Sequence, residues 1–295
     1  MNEINSIPVL SVPFRWKGKK LTPESTILSL GSCFSENLPG LLAGGGARVL
    51  SNPNGILYNP VSIMESLERI VENIPYTEKD FFFHNGLYCS FSHHGSFSCR
   101  DRNEAIEKAE KARRDFAELL PEAELCLITL STAVIHTHKE SGRIVANCHK
   151  LPNGEFSPGV LSYQNCTSAV QKILALIRKA APATTVLFSL SPVRHNPGDP
   201  VKESYSKSLL RCAIEEVLPE ERNVFYFPAY EILRDELRSY RFYKEDMLHP
   251  SELAVKIILS RFRKEFCDKA LEEGIRLFEK KEKYICHIPK RKDEL

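Results

Sequence analysis

Five short apolar runs punctuate this chain: Ile27–Leu30, Arg48–Leu50, Leu125–Leu130, Thr185–Leu190 and Val224–Phe227. Each is too short for a buried helix and is bounded by polar or turn-forming residues, so each reads as a buried strand. Between them lie stretches with helical spacing. Val61–Asn73 sets Val61, Met64, Leu67, Ile70 and Val71 on one face, and Thr167–Ala180 does the same with Val170, Ile173, Leu174 and Ile177. Ser204–Val217 and Pro250–Arg263 follow the same rule. Strands that alternate with helices build βαβ units, because a parallel neighbour needs a crossover and the crossover is right-handed. The expected fold is therefore a flavodoxin-like, three-layer α/β/α sandwich around a five-stranded parallel sheet. Ligands of such a sheet bind beyond the carboxyl ends of its strands.

Two segments break the alternation. "FFFHNGLYCSFSHHGSFSC" (81–99) has dense aromatics around an Asn-Gly turn, and "VIHTHKESGRIVANCH" (134–149) turns at Glu140-Ser141-Gly142. Both read as β-hairpin insertions near the site end of the sheet. From about residue 268 a charged amphipathic tail is expected to form a helix on the outside. With no repeat or low-complexity linker, the 295 residues are expected to make one domain.

A formal net charge of +2 gives no global basic excess, which argues against a nucleic-acid partner. No apolar run approaches the length that spans a bilayer, so no membrane partner is expected. The first residues lack a leader pattern, and on that reading the terminal "KDEL" is coincidental. Nine scattered cysteines without a C-x-x-C pair imply reduced thiols and a cytoplasmic setting. His93 and His94 with Cys89 and Cys99 do not match a zinc-ligand spacing, so no metal and no cofactor are expected.

Two places carry candidate chemistry. In "LGSCFS" (30–35) a strand ends at Gly31 and a helix opens, placing Ser32 and Cys33 where free N–H groups and the positive dipole end converge. This lowers a thiol pKa and supplies oxyanion donors. A serine cap beside a small buried cysteine is the plainer alternative. In "KEDMLHPSELAVKII", Asp246 stands three residues before His249, and Pro250 is a natural first helical residue. A carboxylate that holds an imidazole just before the last helix of the sheet is half of a triad.

With these residues in place, the sequence resembles the GSCFA family, a branch of the SGNH (GDSL-like) hydrolases. The resemblance rests on "GSCFS" (31–35), "NPNGILYNP" (52–60), "TLSTAVIHT" (129–137), "VANCHK" (145–150), "SPVRH" (191–195) and "DMLHPS" (246–251), which run in family order. Ser35 stands where the family name has Ala, and Ser131 where Gly is expected. The resemblance implies an ester hydrolase or acyltransferase acting through an acyl-enzyme on a small-molecule acyl ester or acylated sugar. Cys33 falls at the nucleophile position, with Ser32 beside it as the other candidate; His249 would be the base and Asp246 its orienter. The oxyanion would be held by the N–H groups of Cys33 and Gly55. The usual third-block Asn is replaced by Ser131 and Thr132, which leaves Thr132, Asn54 or Asn147 to substitute. His149, Lys150, Arg194 and His195 are expected at the rim, binding substrate; for Arg194 a structural salt bridge is the alternative. The competing reading is a non-catalytic binding module on the same fold, with an inert Cys33. Oligomeric state is not set by these residues.

Overall fold

The computed structural model describes residues 10–32, 34–195, 198–219 and 222–287, without the side chains of 34–37 and 282–287. The chain runs β1 (Thr26–Gly31), α1 (Phe34–Gly44), β2 (Arg48–Ser51), α2 (Pro60–Val71), β3 (Phe82–His84), β4 (Leu87–Cys89), α3 (Arg102–Leu119), β5 (Leu125–Leu130), β6 (Val134–His138), β7 (Ile144–Val145), β8 (Phe156–Val160), α4 (Tyr163–Ala180), β9 (Thr185–Leu190), α5 (Pro200–Val217), β10 (Val224–Phe227), α6 (Glu252–Phe266) and α7 (Lys269–His287).

Five strands, β10-β9-β5-β1-β2, form one sheet in which every pairing is parallel. This is the expected flavodoxin-like order, and all five apolar runs supply its strands. Strand β1, between β5 and the edge strand β2, is buried along its whole length. Its residues alternate between two cores: Leu28 and Leu30 pack with Leu67, Phe116, Val170 and Leu210 from α2–α5, whereas Ile27 packs with Leu42, Phe262 and Leu271 from α1, α6 and α7. Helices thus cover both faces and close the three layers. Every sheet strand ends in its own connecting loop, so these loops converge along one edge.

Both hairpins form. β3 and β4 pair antiparallel around Asn85-Gly86, both at positive φ (47° and 77°), as a type I′ turn demands. β6 and β7 pair across the second turn, but β6 also pairs with β8, which the sequence reading does not contain. Helix α3 is likewise unforeseen. Its buried stripe is Ala105, Ala109, Phe116 and Leu119, with Arg113 on the same face bonded to Glu110 and to Asn73 Oδ1 (2.9 Å). A stripe made of alanine and a paired arginine gives little hydrophobic contrast. Pro250 is not the first helical residue: Ser251 caps α6 by accepting from the Ala254 N–H (3.3 Å), so the helix starts at Glu252, two residues later than expected. Among the described residues no helix is long and apolar enough to cross a membrane.

Candidate active site

The end of β1 is held by backbone geometry. Gly31 has φ +132°, and a Cβ there would lie 2.1 Å from the Thr129 carbonyl oxygen, so only glycine fits. Its N–H donates to Asn52 Oδ1 (2.9 Å), and its carbonyl accepts from the Leu57 N–H (3.0 Å). Ser32 follows, fully buried, with its N–H on the Thr129 carbonyl (3.2 Å). Cys33, the other nucleophile candidate, lies outside the described residues, as does its N–H.

The other candidate residues lie in the loop before α6. Asp246 Oδ1 accepts from the N–H groups of Leu248 (2.9 Å) and His249 (3.0 Å), and Oδ2 contacts His249 Nδ1 at 2.7 Å. These bonds favour the ionised carboxylate, with the His249 N–H contributing most, then Leu248, then the His249 ring, and they hold Asp246 at about 2. The imidazole therefore donates from Nδ1, and Nε2 is left as the basic nitrogen. His249 Nε2 makes no hydrogen bond among the described residues. Between the two residues, Met247 adopts φ +60°, which lets the loop curl back onto Asp246.

The loop after β9 bonds to this loop and to the end of β5. The Arg194 N–H donates to the Leu248 carbonyl (3.1 Å), and Ser191 N–H donates to Leu130 at the end of β5 (2.8 Å). His195 packs edge-on against Tyr58 (4.6 Å between centroids), and the Tyr58 carbonyl accepts from the N–H groups of both Ser131 and Thr132. Burial first, then the charges of Lys207 and His249, push the His195 pKa down to about 3, so its ring is neutral. A crevice of about 170 Å³ lies here, lined by Tyr58, Asn59, Thr132, Val134, Val145 and His195, among others.

The remaining expected residues divide. The Gly55 N–H is engaged by the Asn52 carbonyl (2.7 Å), closing a turn at φ +73°. Asn54 is buried and saturated, donating to Tyr76 Oη (2.6 Å) and the Ser92 carbonyl (3.0 Å) and accepting from Ser66 Oγ (2.7 Å). Thr132 directs its N–H to Tyr58; its hydroxyl meets Ser206 Oγ (3.1 Å) and accepts from the Val134 N–H (3.0 Å). These three expected oxyanion donors are thus hydrogen-bonded inside the protein. Asn147 Oδ1 caps the His149 N–H (2.8 Å), while its Nδ2 has no hydrogen bond among the described residues. His149 donates from Nε2 to the Ser90 carbonyl (2.7 Å) and packs against Phe82, within the insertions, and burial lowers its pKa. Lys150 is exposed at φ +60°. Arg194 is also exposed; it lies over the Tyr243 ring (5.3 Å) and forms no salt bridge among the described residues.

Sequence reasoning missed the support behind this edge. Buried Lys207 donates to the Ser191 carbonyl (2.8 Å) and faces Glu203 at 3.7 Å, while the Glu203 carboxylate accepts from the His195 N–H (3.3 Å). Both lie on α5, one turn apart. A Glu and a Lys at i, i+4 read as a solvated pair in sequence, with no signal that the face is buried. Arg234 and Tyr230 were also missed. With Arg194, Glu203, Tyr243 and Asp246 they line a second cavity of about 290 Å³.

A family model described as the GSCFA family matches residues 26–262. No curated protein matches the chain. Among solved structures, a Clostridium thermocellum family 3 carbohydrate esterase is similar at 10% identity, with 86% of this chain and 98% of that chain covered and a TM-score of 0.39. An acetyl xylan esterase from the rumen bacterium Butyrivibrio proteoclasticus aligns at 11% identity over 86% of this chain and 66% of its own, with a TM-score of 0.42. A salicylyl-acyltransferase from a tetracycline biosynthetic pathway gives 12% identity, 84% and 55% coverage, and a TM-score of 0.42. None of these likenesses bears on activity.

Proposed function

Because the chain belongs to the GSCFA family, whose model spans residues 26–262, we propose that it is an ester hydrolase or O-acyltransferase working through an acyl-enzyme. The observation that carries this reading is the Asp246–His249 pair: Nδ1 is held at 2.7 Å on the carboxyl edge of the sheet, leaving Nε2 to take a proton. Cys33 is the preferred nucleophile. Ser32 is fully buried behind the β1 turn, which supports the next residue as the one that meets substrate. In the proposed reaction the Cys33 thiol gives its proton to His249 Nε2 and the sulfur bonds to the acyl carbon. Collapse of the tetrahedral adduct breaks the ester C–O bond, and His249 returns the proton to the leaving alcohol. Water or an acceptor hydroxyl then attacks the thioester, giving hydrolysis or transfer. Asn147 Nδ2 and the Cys33 N–H are the proposed oxyanion donors, since Gly55, Asn54 and Thr132 are engaged elsewhere. The substrate class is a small acyl ester, including acylated sugars. The reading also sets the enzyme in a reducing cytoplasm, on cysteine usage alone.

A screen of acyl and sugar esters against wild type, Cys33→Ala and Ser32→Ala, with mass spectrometry of the intact protein, tests this. The expected result is an acyl adduct on Cys33 that persists in Ser32→Ala and vanishes in Cys33→Ala. An adduct on Ser32 reassigns the nucleophile. The engaged oxyanion candidates favour one alternative, a binding module with an inert thiol. In that case Cys33 would titrate near ~8.5, like a free thiol, and His249→Ala would not change it.

A further inference from the structure

We infer that the cavity beside Asp246 is an anion site, in which Arg194 and Arg234 grip a carboxylate or phosphate carried by the substrate; as a statement about substrate it rests on the ester-cleaving function proposed above. The cavity lies against the dyad. Asp246, Met247 and Leu248 form part of its wall, and Arg194, on another, is tied to this loop by its N–H on the Leu248 carbonyl (3.1 Å). A group bound there lies beside the Asp246 carboxylate.

The charge pattern selects the ligand. Two carboxylates line the cavity, and both are occupied. Asp246 takes three N–H donors from its own loop, and Glu203 takes the His195 N–H and the nearby Lys207 ammonium. The two guanidiniums are not matched in this way. Other arginines pair with acids: Arg113 with Glu110 (2.9 Å), and Arg263 with Glu272 (2.8 Å) and Glu279 (2.9 Å). Arg194 instead lies over the Tyr243 ring at 5.3 Å, and Arg234 lies over the Tyr230 ring at 5.6 Å while donating to its hydroxyl. Neither forms a salt bridge among the described residues. Aromatic faces restrict a guanidinium without consuming its charge, and this leaves planar donor forks ready for an oxyanion. A two-oxygen or three-oxygen anion uses such forks; a neutral hydroxyl uses them poorly. At about 290 Å³ the cavity takes more than an acetyl group, so the anion is expected on the larger part of the ester.

Two measurements on the full chain separate this inference from its premise. Calorimetric titration with inorganic phosphate should show binding by wild type, weakened about 10-fold or more in Arg234→Gln and further in the Arg194→Gln/Arg234→Gln double variant. Equal affinity in all three, or no binding by wild type, overturns the site. The second measurement compares kcat/KM for two acetyl esters that differ only in a carboxylate on the alcohol. The ratio of anionic to neutral substrate should fall about 10-fold in Arg234→Gln, and an unchanged ratio overturns the substrate assignment. If neither ester turns over while phosphate binding is lost in the variants, the anion site stands and the ester-cleaving function fails.

Discussion

The turn at Gly31-Ser32 and the loop Asp246–His249 are built on opposite principles. The turn is buried and fixed by sterics: no side chain larger than hydrogen fits at Gly31, and both of its backbone polar groups are bonded. The loop keeps about half its side-chain surface in water, 45% for His249 and 43% for Asp246, and is shaped by one carboxylate gathering three donors. In the proposed reaction, rigidity in the first would fix the position of the nucleophile, and solvent access in the second would let the His249 ring exchange protons. Substitutions in the two should therefore fail differently, one in folding and the other in chemistry.

The largest expected effect lies in the loop. His249→Ala or Asp246→Asn should lower kcat/KM by about 10³–10⁴-fold with a nearly unchanged melting temperature, because the groups are exposed and act as a unit. Steady-state kinetics beside a thermal melt checks it, and a loss of folding together with activity would erase the contrast. Gly31→Ala should do the reverse. A methyl 2.1 Å from the Thr129 oxygen, at φ +132°, should cost about 3 kcal/mol or more, read from a denaturant melt. Stability within 0.5 kcal/mol of wild type would mean that the turn is not sterically locked.

This contrast also explains what was legible in the sequence. The inner strands β1, β5 and β9 are buried almost throughout, so they appear as apolar runs, and all five expected runs supply strands of the sheet. Gly31 was visible because a glycine between a strand and a helix has few other uses. Asp246 and His249 were visible because their interaction is local. Helix α3 was not, since alanines and a paired Arg113 carry its buried face. Strand β8 was not, since Pro158 and Gly159 in "FSPGV" disfavour a strand, and it forms by pairing with β6. The fate of the proposed oxyanion donors was equally hidden. Nothing in "NPNG" says that Asn54 is claimed by Tyr76, Ser66 and Ser92, residues 12 to 38 positions away.

That last point gives the next effect in size. Asn54→Ala should behave like the turn and not like the loop. Three buried hydrogen bonds lose a partner, which predicts a loss of about 2–3 kcal/mol with kcat retained on the folded fraction. A selective fall in kcat at full stability would return Asn54 to the oxyanion hole.

The smallest effect contrasts buried imidazoles with exposed His249. His93 is completely buried, its ring set against Tyr76 (4.5 Å between centroids) and Phe97 (5.0 Å), and its Nε2 has no hydrogen-bond partner among the described residues. Burial, reinforced by the charges of Arg69 and His149, pushes its pKa down to about 3, as burial does for His195. The ordinary imidazole value in an unfolded chain is near ~6.5. Above that pH both rings are neutral in either state and add no pH dependence. As pH falls from ~6.5 toward 3, the unfolded chain takes up protons that the folded one refuses, so stability declines by up to about 1.4 kcal/mol per pH unit for each ring. Asp246 adds to this only in stronger acid, since its bonds are lost as pH drops from the ordinary carboxylate range through about 2. Replacing His93 with Phe keeps an aromatic ring in the box and removes the titration. Unfolding free energy measured from pH 7.5 to 5 should then show a slope shallower by about one proton. An unchanged slope would mean that His93 is protonated in the fold, and that burial does not separate it from the solvent-facing imidazole of the loop.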